Sequence, residues 1–334
     1  QLINAGHILG SAQIVLNIKE ECSMKKVVFS GDLGTMSQPF VKDPKDIEDA
    51  DIIIMEATYG NRLHSDKCDR LETLAEVINT AQAKGGNIII PAFAIERTQD
   101  LLYYLQELQI DNRIPTLPIY IDSPLAIAAT RIFKENIVNF DEATMELIRE
   151  GNNPLTMENL RFSETTEDSK KLNQITCGTI IISASGMADA GRIKHHLKHN
   201  LWRSNATVIF VGYQAEGTLG RRLVEGIKEV NIHGEKIAVH ASIKMLPGFS
   251  AHADQNELLN WVETTSKKSA KVILVHGEQK SLDTFADLVT EKLGNQTLIP
   301  VLGESMEFRE DEIIRTVPEK PWLEVIERSE ERRV

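Results

Sequence analysis

The sequence predicts an α/β fold, on three observations. Short β-rich runs alternate with longer helical stretches along the chain. The apolar runs are strand-sized, as in ADIIIMEA, GNIIIPA and GTIIISA. Several helical stretches open on Ser, Asp or Glu and close near Gly or Asn, as capping chemistry expects. In chain order, strands are expected at 12–18, 25–31 and 50–57, followed by a helix over 65–85 that ends at Gly85. A strand at 86–92, a helix at 96–109, a strand at 118–123 and a helix at 124–136 continue the alternation. The stretch 137–172 is rich in charge and Asn and reads as an irregular excursion with short helices. Strands at 178–184, 206–212 and 271–277, with helices at 191–200 and 255–265, complete the pattern. The last segment, EKPWLEVIERSEERRV, is charged and amphipathic and reads as a surface helix or a frayed end.

The chain has 334 residues, enough for two domains at ~100–200 residues each. No apolar run approaches the ~20 residues of a membrane helix, and no basic n-region precedes an apolar h-region. The three cysteines, Cys22, Cys68 and Cys177, are widely spaced and form no CxxC pair. Reduced cysteines and a cytoplasmic location are the expectation. The net charge of −12 argues against bulk adhesion to nucleic acid, so a polyanionic substrate would have to meet a local basic or metal-bearing cleft.

Strand ends carry unusual polar residues: Asp32 after VVFSG, Glu56 after DIIIM, Asp122 after PIYI, His276 after KVILV. Crevices outside strand ends are where open α/β sheets gather ligand and catalytic groups. Taken singly, each residue has an ordinary structural reading. Asp32 in FSGDLG fits an Asx turn, Glu56 could cap the next turn, and Asp254 could N-cap a helix with His252 incidental. His7 in NAGHILGSA is less easily placed, because Gly, Ala and Ser around it fill little core and permit close backbone approach.

As an ordered series, GHILGSA, FSGDLG, EATYG, PAFAIERTQ, DSPLA, SASGM, GYQAEGTLG, GFSAHAD and LVHGEQ resembles the β-CASP branch of the metallo-β-lactamase fold. These are RNA-processing nucleases, and the match runs from about residue 3 to about 280. The wording DSPLA looks like a bacterial or archaeal stand-alone member. The resemblance implies a metallo-β-lactamase αββα sandwich, partial here, in residues 1–60 and 245–334. An inserted α/β β-CASP domain of parallel-sheet type is implied at 61–244.

Carried over residue by residue, the resemblance makes His7, Asp32 and His276 zinc ligands, with Asp32 bridging two Zn²⁺ ions. Glu56 and His252 match the family's acidic motif and its catalytic histidine, and His276 favours the RNA-acting branch. Two zinc ions about 3.5–4 Å apart activate a water and clamp a phosphodiester for in-line displacement. A histidine kept charged by a carboxylate can then protonate the departing O3′, leaving 5′-phosphate and 3′-hydroxyl ends. The expected partner is single-stranded RNA in the cleft between the domains. A homodimer is compatible with the resemblance, and no membrane is involved.

Auxiliary expectations are weaker in physical content. Arg97 reads equally as an interface ion pair or a phosphate contact. Ser183, Ser185 and Gly186 would precede a helix whose amides could meet phosphate, and Tyr213 could stack a base. The histidines of KHHLKH read as a solvated basic face, and His64, His233 and His240 as ordinary. The family's upstream His-x-His-x-Asp-His run has no counterpart in this sequence. The expectation is therefore an N-terminally truncated part of a larger enzyme, with weak or lost zinc binding and turnover on its own. Two other readings stay open: a non-catalytic RNA-binding or scaffold relative, and a small-molecule metallo-hydrolase acting on a thioester or lactone.

Overall fold

In the computed structural model, which describes residues 1–20, 23–64, 67–246, 248–309 and 313–318, two six-stranded sheets organise the chain. The first begins with β1 (Leu2–Asn4), β2 (Ala12–Glu20), β3 (Ser23–Phe29) and β4 (Ala50–Glu56). The chain then leaves through α1 (Lys67–Ala83) and builds β5 (Ile88–Pro91), α2 (Arg97–Ile110), β6 (Ile119–Ile121) and α3 (Pro124–Glu135). Next come α4 (Glu142–Arg149), β7 (Leu160–Phe162), α5 (Thr166–Leu172), β8 (Ile180–Ser183) and α6 (Ile193–Asn200). After β9 (Thr207–Phe210) and α7 (Leu219–Val224), a hairpin of β10 (Glu229–Ile232) and β11 (Glu235–Ala238) leads to β12 (Ser242–Met245). The chain returns with α8 (Gln255–Thr265), β13 (Ser266–His276), α9 (Gln279–Leu293) and β14 (Gln296–Leu298), then a hairpin of β15 (Ser305–Phe308) and β16 (Ile313–Thr316).

The second sheet runs β12-β9-β5-β8-β6-β7, and every pairing in it is parallel. Its isoleucine triplets explain this: β5 and β8 pair Ile88–Ile90 against Ile180–Ile182, and all six side chains are buried. Strands apolar on both faces need helices on both faces. Leu101, Leu105 and Leu108 of α2 pack on one side, and Ile193 and Leu197 of α6 on the other. Ser123 caps α3 by accepting the Ala126 N–H, with Pro124 at the first helical position.

The first sheet is mixed, in order β1-β2-β3-β4-β13-β14. Val15, Val28, Ile53, Met55, Val272 and Leu274 turn to one face and meet Leu258 and Trp261 of α8 and Phe285 and Val289 of α9. Burial of a chain such as Phe285, fully enclosed here, is worth ~1.5–3 kcal/mol. Ile14, Leu16 and Ile18 alternate onto the opposite face and stay partly exposed. This is one sheet-and-helix half of the expected sandwich.

Several boundaries and elements differ from expectation. The helix expected at 191–200 starts at Ile193, and the strand expected at 271–277 begins at Ser266. The short strand β1 and the helix α9 were not anticipated, although Leu282, Phe285 and Val289 give α9 a buried stripe at helical spacing. The excursion at 137–172 does contain short helices, and it also adds β7 to the sheet edge. The helix expected at 319–334 lies outside the described residues, as does Cys22. Cys177 is a free, exposed thiol. Among the described residues no helix is long and apolar enough to cross a membrane.

Candidate active site

Because β3, β4 and β13 are mutually parallel, their C-terminal ends open on one edge of the sheet. Asp32 follows β3, Glu56 ends β4 and His276 ends β13, so the register of the sheet alone brings three of the expected residues together. Gly277 follows His276 with its backbone against the Ala57 carbonyl, where any Cβ would sit 2.8 Å away.

His252 arrives from the other side, on the loop entering α8. Asp254 caps that helix by accepting the Asn256 and Glu257 N–H groups, and Glu257 returns a bond to the Asp254 N–H. The loop is laced to the segment after β3. The Ala253 N–H donates to the Leu33 carbonyl at 2.8 Å, and the Thr35 N–H to the Ala251 carbonyl at 3.0 Å. His7 sits on a third loop, joined to the same segment where the Gly34 N–H donates to the Ala5 carbonyl at 2.9 Å. That crossing is so close that a Cβ on Gly34 would lie 1.8 Å from the Gly6 oxygen. Gly34 thus lets all three loops converge.

At the centre, His252 Nδ1 lies 2.9 Å from Glu56 Oε2 and 3.1 Å from Oε1. Glu56 is almost fully buried and also accepts the Leu33 N–H. Burial alone would lower the His252 pKa, but the hydrogen bond and charge of Glu56 outweigh it and hold the imidazole above its ordinary value. The His7 ring stands 4.4 Å from that of His252, and its pKa is lowered by burial and by the charge of that neighbour. Asp32 faces both remaining histidines. Its Oδ1 is 3.0 Å from His276 Nδ1, and its Oδ2 is 3.9 Å from His7 Nε2.

These donors fit a metal. His7, Asp32 and His252 offer ligand atoms all within 4.8 Å of one another, and so do Asp32, Glu56 and His276. Asp32 is common to both groups, and imidazole and carboxylate donors suit zinc. The oxygens of Glu56 are already occupied by His252 and Leu33, which fits an orienting role better than ligation.

A family model described as the Beta-Casp domain matches residues 98–223, and one described as the Zn-dependent metallo-hydrolase RNA specificity domain matches 236–300, the stretch that carries His252 and His276. Ribonuclease TTHA0252 of Thermus thermophilus is 35% identical over 302 residues, covering 90% of this chain and 68% of that protein. The chain belongs to the β-CASP metallo-β-lactamase ribonuclease family. An RNase J-like protein of Methanocaldococcus jannaschii is 34% identical over 305 residues, again 90% of this chain and 68% of that protein. A protein from the same organism named transcription termination factor FttA is 30% identical over 313 residues, with 48% of its length covered.

As a β-CASP ribonuclease, the chain carries a cavity of about 530 Å³ over these residues, lined from both sheets. His7, His252 and His276 line it from the first, and Arg97, Gly186 and Tyr213 from the second. Arg97 also pairs with the buried Asp100 at 3.0 Å, one turn along the same helix, so its ion pair is local to α2 and not the expected pair across an interface. Ser183 and Ser185 are not among the lining residues. The Ser183 hydroxyl is buried and donates to the Asp122 carbonyl, and α6 starts too late for Ser183, Ser185 and Gly186 to precede it directly.

Asp122 is likewise drawn away from the site. It is fully buried in the second sheet, accepting from Arg192 at 2.7 Å and Ser169 at 2.6 Å and facing His196 at 2.5 Å. His196 is therefore a buried partner and not part of a solvated basic face. Three contributors to the β-CASP site were not anticipated. His64 Nε2 meets the His252 carbonyl at 2.8 Å, Glu278 accepts from the Tyr213 hydroxyl at 3.0 Å, and Glu96 accepts the Leu9 N–H at 3.1 Å. Glu278 follows Gly277 as Asp32 follows Gly31, but His64 and Glu96 carry no such punctuation, and the partners of all three lie far away in sequence.

Proposed function

We propose that this site hydrolyses phosphodiester bonds of single-stranded RNA with zinc, leaving 5′-phosphate and 3′-hydroxyl ends. One observation carries the reading: the His252–Glu56 pair stands beside Asp32, which itself faces His276 at 3.0 Å and His7 at 3.9 Å. His7, Asp32 and His276 would hold zinc, which supplies an activated water and charge stabilisation at the phosphate. As the new P–O bond forms and the P–O3′ bond breaks, His252 donates its proton to the leaving O3′. Glu56 fixes the His252 ring and stabilises its charged form, and Leu33 N–H fixes Glu56 in turn. Arg97 and Tyr213 on the cavity wall are placed to contact RNA phosphate and base.

The ribonuclease names of the Thermus and Methanocaldococcus relatives support the same substrate. The test joins this chain to a His-x-His-x-Asp-His segment and follows a labelled single-stranded RNA under single turnover with zinc. Products with 5′-phosphate and 3′-hydroxyl ends are expected, and 2′,3′-cyclic phosphate ends would contradict the mechanism. Asp32→Ala should lower zinc affinity by more than the ~10–100-fold typical of losing an outer-shell partner. Equilibrium dialysis with zinc measures that, and unchanged zinc retention would remove Asp32 from the metal site.

A further inference from the structure

Two histidines of KHHLKH meet a third from a distant element. His195 and His199 lie four residues apart on α6, the spacing that puts two side chains on one helix face. His233 occupies the tip of the β10–β11 hairpin, where Ile232 pairs with Glu235 around the turn His233-Gly234. Both turn residues have positive φ, 53° and 80°, as a tight two-residue hairpin turn requires. The turn lays the His233 ring on the His195 ring, with centroids 4.5 Å apart and planes 22° from parallel. Lys198 of α6 pairs with Glu235 at 2.5 Å and ties the same end of the hairpin to the helix. Glu235 also feels the charges of His199 and His233. Three imidazoles and a carboxylate from two elements thus share one patch, and the catalytic cavity is lined by other residues.

We propose that His195, His199 and His233 bind a divalent transition-metal ion such as Zn²⁺, with Glu235 as a fourth donor, and that the ion clips the β10–β11 hairpin to α6. Imidazole suits zinc, and four nitrogen and oxygen donors make the tetrahedral set of a structural site. Burial and the charge of His233 lower the pKa of His195, and burial and Lys198 lower that of His199. Both are therefore held in the neutral form that ligates metals. Stacked rings do not aim their nitrogens at one point, so loading turns the exposed His195 and His233 rings about χ2, a soft torsion in imidazole.

Isothermal titration with Zn²⁺ tests this in an Asp32→Ala background, which sets the proposed catalytic metals aside, with His195→Ala and His233→Ala added singly. Both positions are exposed, and thermal unfolding without zinc verifies that the variants fold. The background chain should bind a zinc ion, and either substitution should weaken that binding by more than the ~10–100-fold of losing an outer-shell partner. Hydrogen exchange gives a second readout of the clip. Zinc should slow the amides of Glu229–Ile232 and Glu235–Ala238 in the background chain and leave them unchanged in His233→Ala. A background chain that binds no zinc, or one whose zinc binding survives both substitutions, overturns the site. Either result leaves the reading of the active site standing, because Asp32 is absent from every arm.

Discussion

Gly34 shows how much of the site depends on one missing side chain. Its backbone passes so close to Gly6 that any Cβ would overlap the Gly6 oxygen, which sits one residue before His7. Gly34→Ala must push the loops apart and should destabilise the fold by ~1–3 kcal/mol, the usual cost of overpacking. Chemical denaturation measures this, and a variant as stable as the parent would mean the crossing is looser than described. Among the catalytic candidates, His252 and Glu56 are 196 positions apart, yet their contact is the shortest histidine–carboxylate approach in the site. Asp32, His276 and His7 were legible because they punctuate strand ends or Gly-rich turns. His64 was not, since its only distinction is a bond to the His252 carbonyl.

At the scale of elements, the start of α2 holds a buried charge cluster where the two sheets meet. Glu96 reaches across to the Leu9 N–H, and Asp100 pairs with Arg97. Burial pushes the Asp100 carboxyl up to about 7, against the pull of Arg97 and Arg70, and Glu96 is raised by burial and by the charge of Asp100. The folded chain therefore binds more protons than the unfolded one between the ordinary value of 3.8 and about 7. Stability from Asp100 is greatest below that window and is lost as pH rises through 7, with a slope of at most about 1.4 kcal/mol per pH unit. Urea midpoints at pH 5, 6, 7 and 8 should fall in that order, and Asp100→Asn should flatten the trend. A midpoint that rises across this range in the parent but not in the variant would reverse the sign assigned here.

The buried central strands were legible, because triplets such as Ile88–Ile90 are apolar on both faces, whereas the short strands β1, β7, β10–β12 and β14–β16 carry no such run. Helix α6 is where it was expected, but His196 departs from the solvated face assigned to it, for an identifiable reason. Its lysines and histidines suggested solvent, while Ile193, His196, Leu197 and Asn200 share one inward face at helical spacing. The partner that makes His196 tolerable there, Asp122, is 74 positions away. Strand ends likewise announced Asp122 as readily as Asp32, and only the sheet order separates them.

In the whole molecule, residues on either side of the second sheet close into one first sheet through the parallel pairing of β4 with β13. That closure sets Glu56 beside His276 and delivers His252 to both, so the gathering of these side chains is a consequence of topology. We propose that His252 works on the substrate while other residues hold the zinc. Zinc content and single-turnover RNA cleavage, measured together for the parent and for His252→Ala in the chain joined to a His-x-His-x-Asp-His segment, test this. Unchanged zinc content and cleavage slowed by ~10²–10⁴-fold are expected, as loss of a general acid gives. Unimpaired cleavage, or zinc lost along with activity, would contradict it.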